Sequence, residues 1–444
     1  MKKVFINLLP FFFAITFILT WTGSALSGDD ILFKKRIESL ENDIMGLKSL
    51  LQQQQAEQKE EKNRIGKLVE KINIAEISGT ALSKKGFRVT PYGKIKLDMA
   101  YNDSRTHPRN RDFIFWAKPE TNGSNADNEF GFTARETRIG VELTGPKYNG
   151  VEVKGVIEID FYGADGDERK AEPMLRHAFM ELKFPSFKLL AGQTWDVISP
   201  LNPSTCNYSV NWLMGNIGYR RPQIRFSKDF LTGDDSGVST RCAVSMTGSQ
   251  DLEGIADVED GKDRGFPSIQ GRIGYHTKIN GKKMDIGLSG HYGEEDIDTK
   301  YIGHEKNYKS WSANVDMILP VCSNLIFKGE AFIGANLDTY LGGIAQGVNI
   351  TTEKEIGSVG GWGQLTWIAS KKLKFNIGAG IDDPENGDLN NGAKLSNKVY
   401  YGNLFYQIIP PVILGLEYMN VSTDYKNDSN GDCNRVQTSL IYYF

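Results

Sequence analysis

From Val89 to Phe444 the chain repeatedly alternates apolar and polar residues with a period of two, the side-chain rhythm of a β-strand. In 150–162, Val151, Val153, Ile157, Ile159 and Phe161 share one side, while Glu152, Lys154, Glu158 and Asp160 share the other. Ile95, Leu97 and Met99 oppose Lys94, Lys96 and Asp98 in the same way. The final run sets Val436, Thr438, Leu440, Tyr442 and Phe444 against Arg435, Gln437, Ser439 and Tyr443. Read to the terminus, the pattern predicts about sixteen strands, an even number as a closed antiparallel membrane barrel requires. The expected cores are 89–101, 130–145, 150–162, 173–184, 187–195, 219–230, 239–248 and 268–278, then 284–293, 307–319, 324–337, 358–369, 372–381, 397–409, 412–423 and 434–444. Short links such as 184–187, 320–323 and 410–411 alternate with long ones such as 102–129, 195–218 and 338–357. Short periplasmic turns and long outer loops are the rule for such barrels. A soluble sandwich or propeller would also alternate, but its apolar face would be buried.

Ahead of the strands the period changes. Between Ile37 and Ala75, position a of a heptad holds Ile37, Ile44, Leu51, Gln58, Ile65 and Ile72, and position d holds Leu40, Leu47, Gln54, Glu61, Leu68 and Ala75. A sustained 3.5 spacing predicts an α-helical coiled coil that joins copies of the chain. Ile at a with Leu at d favours two strands, a rule blunted by the polar gap at Gln54, Gln58 and Glu61. At the N-terminus, Lys2 and Lys3 precede an uncharged apolar stretch from Val4 to Thr22, followed by Gly23, Ser24 and Ala25. That is the form of a secretory signal peptide cut after Ala25. The expected organisation is therefore a signal peptide (1–25), a coiled coil and hinge (26–86) and an all-β transmembrane antiparallel barrel (87–444).

Composition alters this picture little. Hydrophobic content of 40% and a mean hydropathy of −0.37 resemble a soluble protein. A membrane barrel is apolar on only half of each strand, so its average stays polar. The formal charge of −3, more negative once Lys2 and Lys3 are removed, argues against nucleic acid as a partner. Cys206, Cys242, Cys322 and Cys433 show no metal spacing, and neither metal nor cofactor is expected. Cys206 and Cys433 are both expected in outer loops, where an exported protein could pair them. The five histidines are scattered and no G-x-S-x-G occurs, so an enzyme is not expected. The alternative to a channel is a structural anchor, with the coiled coil as a periplasmic tether.

Charges of both signs on the inward face predict a water-holding lumen. The expected constriction lies between the fifth and sixth strands, a segment rich in Pro, Asn and aromatics with one acid, Asp196. It opens on Gly192-Gln193 and closes on Arg221-Pro222-Gln223-Ile224-Arg225. Arg221, Gln223 and Arg225 share one strand face, and two guanidiniums placed inward offer forked donors to carboxylate oxygens. Lys94, Lys96 and Arg138 are further candidates, although Asp98, Glu136 and Glu142 stand close enough to neutralise them. The competing reading is that Arg221 and Arg225 pair with lumen acids and brace the wall. With its preceding signal peptide and coiled coil, this stretch resembles the DcaP-like trimeric porins over essentially the whole mature chain. The resemblance implies a homotrimer of sixteen-stranded barrels, an inward third loop, a periplasmic coiled coil, and passage of small anionic, dicarboxylate-like solutes. It also implies the outer membrane of a Gram-negative-type bacterium, with lipid around the wall.

Overall fold

The computed structural model describes residues 43, 45–46, 82–84, 86–107, 113–120, 127–163, 170–247, 265–279, 281–297 and 302–444. The chain divides into two compact units, Met1–Thr80 and Ala81–Phe444. In the first, Asp43, Met45 and Gly46 are helical and exposed. The expected signal peptide and the remaining positions of the expected coiled coil lie outside the described residues.

The second unit is built from sixteen long strands among the described residues. They begin with β1 (Phe87–Asn102), β2 (Glu129–Thr133 with Arg138–Thr144), β3 (Glu152–Asp160), β4 (Met174–Lys183) and β5 (Lys188–Trp195). Next come β6 (Arg220–Leu231), β7 (Gly237–Ser245), β8 (Ser268–Ile279), β9 (Lys282–Ile297), β10 (Lys306–Pro320) and β11 (Leu325–Ala335). The last are β12 (Gly357–Ile368), β13 (Leu373–Pro384), β14 (Lys394–Ile409), β15 (Val412–Tyr425) and β16 (Gly431–Tyr443). Each pairs antiparallel with the next, and β16 returns to β1 in a register running from Lys94 opposite Tyr443 to Asn102 opposite Arg435. Phe444 completes this seam, exchanging backbone hydrogen bonds of 3.0 and 3.2 Å with Gly93. Closure leaves none of these sixteen strands as an edge, the condition for crossing lipid with β-structure, and the short strand Leu82–Lys84 pairs with the start of β1.

Alternation decides what the wall faces. Ile95, Ile224, Leu288 and Ile377 point outward, with Ile377 66% exposed. Asp98, Gln270, Asp316, Gln364, Asn397, Glu417 and Gln437 point inward and are buried. This inverts a soluble β-protein, whose interior is apolar, and it matches a barrel whose outer surface meets hydrocarbon. Stacked Trp367 and Phe375, at 5.3 Å between ring centroids, flank the short turn joining β12 to β13. With Tyr406, Tyr442 and Phe444 exposed beside other short turns, they form an aromatic belt at that rim.

Two sequence expectations need correction. The strand expected over 130–145 is broken at Ala134–Thr137, where Thr137 N–H donates to the Ala134 carbonyl at 2.9 Å. The break turns Glu136 into the barrel against Lys94 and Lys96. Cys433 lies within β16 rather than in an outer loop, and all four cysteines are free thiols. The lumen is also more occupied than its polar lining implies. Parts of three long loops, spanning 103–128, 196–219 and 336–356, are buried in one apolar cluster that includes Phe113, Phe115, Trp116, Trp212, Leu213, Leu341 and Ile344.

Candidate functional site: the loop-lined lumen

The third loop, 196–219, has almost no regular structure, so its backbone must find partners elsewhere when it enters a barrel. Inward side chains of successive strands supply them. Val197 N–H donates to Gln270 Oε1 of β8 at 2.7 Å, and Leu201 N–H to Glu330 Oε1 of β11 at 2.7 Å. Ser204 N–H reaches Gln364 Oε1 of β12 at 2.7 Å. The amides of Cys206 and Asn207 share the carboxylate of Glu417 on β15, at 2.8 and 2.9 Å. On the acceptor side, Lys328 Nζ donates to the Asn202 carbonyl at 2.6 Å, and Asn403 Nδ2 to that of Ser204 at 2.8 Å. Gln437 and Lys96 both donate to the Cys206 carbonyl, at 3.0 and 2.7 Å. The loop therefore folds inward and runs round the wall from β8 to β1, held by the polar face of the strands.

The loop then turns back through a tip at 211–216. Asn397 Nδ2 donates to the Leu213 carbonyl at 2.8 Å and to that of Phe115 at 2.7 Å, tying the first and third loops to β14. Leu213 and Gly218 donate backbone bonds of 3.1 and 2.7 Å to the carbonyls of Leu341 and Tyr340 in the sixth long loop. The tip lies so close to the wall that a Cβ on Gly215 would strike the Gly361 carbonyl. Gly215 also has φ +103°, so glycine is required there twice over.

Most of the expected site residues are engaged in this framework. Arg221 is fully buried. Its Nε lies 2.8 Å from Asp196 Oδ1, its guanidinium covers the Tyr340 ring at 3.8 Å, and it donates to the Thr339 carbonyl at 2.9 Å. Thus the third loop's one acid does oppose the expected arginine ladder, and Arg221 braces the loop's root. Gln223 donates to the carbonyls of Thr194 and Trp195 at 3.1 and 3.0 Å. Arg225, only half-buried, bonds Gln223 Oε1 at 2.9 Å and the Trp195 carbonyl, and has no carboxylate at ion-pair distance among the described residues. Lys94 and Lys96 pair with Glu136, and Lys96 also lies 3.2 Å from Asp98. Arg138 stands 3.4 Å from Glu158, a carboxylate it shares with Arg176 at 2.8 Å. Among the described residues, Arg225 alone of the six has no carboxylate partner, Gln223 being uncharged.

Sequence reading missed two arginines. Arg241, half-buried on the inward face of β7 one strand over from Arg225, also has no ion pair among the described residues. Alternation in β7 placed it inward, so the signal was present. Arg220 was hidden, because strict alternation sends it to the lipid side with Pro222 and Ile224. It is instead buried beside Arg221 where β6 leaves the wall, so the period of two fails there. Arg225 and Arg241 thus bring two guanidiniums to adjacent strands of the inner wall, while Asp196, Glu158 and Asp160 are engaged with Arg221, Arg138 and Arg176.

A closed sixteen-stranded barrel, with polar side chains inside and its third loop folded against the inner wall, defines an outer-membrane channel. The chain belongs to the DcaP outer membrane protein family, whose family model matches residues 18–265. Among solved structures it is similar to the outer membrane channel DcaP of Acinetobacter baumannii, at 20% identity and a TM-score of 0.67, covering 82% of this chain and 99% of that one. It is also similar to the anion-selective porin from Comamonas acidovorans, at 10% identity and a TM-score of 0.55, with 81% and 100% of the two chains covered. Salmonella typhi OmpF, solved with daunomycin, matches at 12% identity and a TM-score of 0.55, covering 81% and 98%. At these identities the likeness is one of fold. A comparison with curated proteins found no match.

Proposed function

We propose that this channel is a passive porin that favours small anionic, dicarboxylate-like solutes over cations of similar size. The observation that carries the reading is the pair Arg225 and Arg241 on the inward faces of β6 and β7, neither with a carboxylate at ion-pair distance among the described residues. Unneutralised guanidiniums in a low-dielectric wall raise the local potential and concentrate anions, even in a chain of net negative charge. Glu181, an inward acid on β4, weakens this field without pairing to it. Solutes would enter between the long loops, pass the third loop and leave at the short-turn rim. The same reading makes the protein a homotrimer in the outer membrane, with the coiled coil of 37–75 in the periplasm.

Reconstituted vesicles test it. Succinate should enter faster than a diamine of equal length, and a neutral diol of that length should fall between them. Equal rates for all three would remove the anion preference. No entry of any would favour the tether, in which the packed loops close the lumen.

A further inference from the structure

We propose that the short-turn rim from β10 to β15 binds anionic phospholipid of the periplasmic leaflet, with Lys371 and Lys372 holding its phosphate. The two halves of that rim differ in charge. Between β2 and β9, rim lysines are neutralised: Lys147 and Lys183 share Glu152 at 3.3 and 3.0 Å, Lys283 meets Asp285 at 2.6 Å, and Lys278 pairs with Asp235. Between β10 and β15 no acid is at hand. The runs 317–329, 365–381 and 399–416, which carry those strand ends, contain neither Asp nor Glu. Lys371 and Lys372 are exposed in the turn from β12 to β13, with no ion pair among the described residues. That turn is held by its own backbone. Ser370 N–H donates to the Leu373 carbonyl at 3.2 Å, and Lys372 N–H to Ser370 Oγ at 3.2 Å. Two adjacent cations are thereby fixed in one short turn. Lys374, exposed two residues further on, adds a third charge to the sector.

The surroundings of the lysines select the partner. Val321, Trp367, Tyr406, Ile408 and Ile409 are exposed along the same stretch of rim. Trp367 stacks on Phe375 beside the turn, and aromatic belts of this kind mark the depth of the lipid headgroups. Lysines at that level lie within reach of phosphate and attract anionic lipid. A wall polymer or an acidic soluble protein would answer the charge but leave the apolar side chains in water. A phospholipid answers both. The missing acids then choose among phospholipids. An ethanolamine or choline headgroup brings its own ammonium, which finds no carboxylate here and is repelled by the lysines. A phosphatidylglycerol headgroup brings the phosphate alone. The inference is independent of the solute preference proposed above, since it holds for an open channel and for a closed anchor.

The test is native mass spectrometry of the purified full-length protein, released from detergent holding phosphatidylglycerol and phosphatidylethanolamine of identical chains. The wild type should retain phosphatidylglycerol in preference. Lys371→Gln with Lys372→Gln should cut that preference by about fivefold for each lysine removed. Lys147→Gln with Lys183→Gln, on the neutralised half of the rim, should leave it unchanged. Glycerol phosphate, the headgroup chemistry without chains, should not displace the lipid at equal concentration. Equal retention of both lipids by the wild type would overturn the proposal. So would a preference that survives loss of Lys371 and Lys372, or one that falls equally in the Lys147 and Lys183 variant. Full displacement by glycerol phosphate would also overturn it, by making the turn a site for free phosphate.

Discussion

The guanidinium of Arg221 sits 2.8 Å from the carboxylate of Asp196, and both residues are buried where the third loop leaves β5 and rejoins β6. The pair closes the loop at its root, and Tyr340 of the sixth long loop covers it. Removing one partner of a buried pair strands the other charge, which typically costs about 3–5 kcal/mol. Arg221→Ala should therefore lower unfolding stability by roughly that amount. Urea unfolding of the wild type and variant would measure it. A stable Arg221→Ala with altered ion preference would instead make Arg221 a lumen residue.

Glu417 takes the amides of both Cys206 and Asn207 and is itself held by Asn403 Nδ2 at 2.8 Å. Glu417→Gln keeps the shape but turns one acceptor into a donor facing an N–H. Hydrogen bonds to charged groups contribute about 1.5–3 kcal/mol, so hydrogen exchange at Cys206 and Asn207 should accelerate by ten- to a hundredfold. Unchanged protection of those amides would mean the loop is held elsewhere.

The wall makes a directional claim. Ile224 faces outward and Ser227, on the same strand, faces inward. Ile224→Arg should cost about 2–4 kcal/mol if it lies near the bilayer midplane, while Ser227→Arg should cost far less. Equilibrium unfolding in lipid vesicles compares the two. Equal costs would mean that the faces are wrongly assigned.

The thiols report on the same geometry. Cys242 is exposed on the outward face of β7, and Cys322 is exposed in the turn after β10, whereas Cys206 and Cys433 are buried. A lipid-soluble maleimide should label Cys242, a water-soluble one Cys322, and neither should reach the buried pair before unfolding. A disulfide between Cys206 and Cys433 on a non-reducing gel would contradict the free thiols.

The fold was largely legible because a barrel's instructions are local. Each strand declares its two faces in its own sequence, so the runs at 95–99, 151–161 and 436–444 all point as their alternation required. The broken β2 was not legible, since Ala134–Thr137 differs from a continuous strand only by tertiary pairing to β1. The site was less legible still. Nothing local in the sequence says that Glu330, Gln364 and Glu417 each hold a backbone amide of a loop more than a hundred residues away. Arg220 escaped because alternation fails where the strand leaves the wall. For Arg221 the sequence left two readings open, an anion ladder and a pair with a lumen acid, and only the fold brings Asp196 to it.

The reversal potential across a potassium chloride gradient, measured in planar bilayers on the wild type and on Arg225→Ala with Arg241→Ala, tests the central claim most directly. The wild type should favour anions, and the double variant should lose much of that preference while conductance persists. Cation preference in the wild type, unchanged by the substitutions, would contradict an anion-favouring pore.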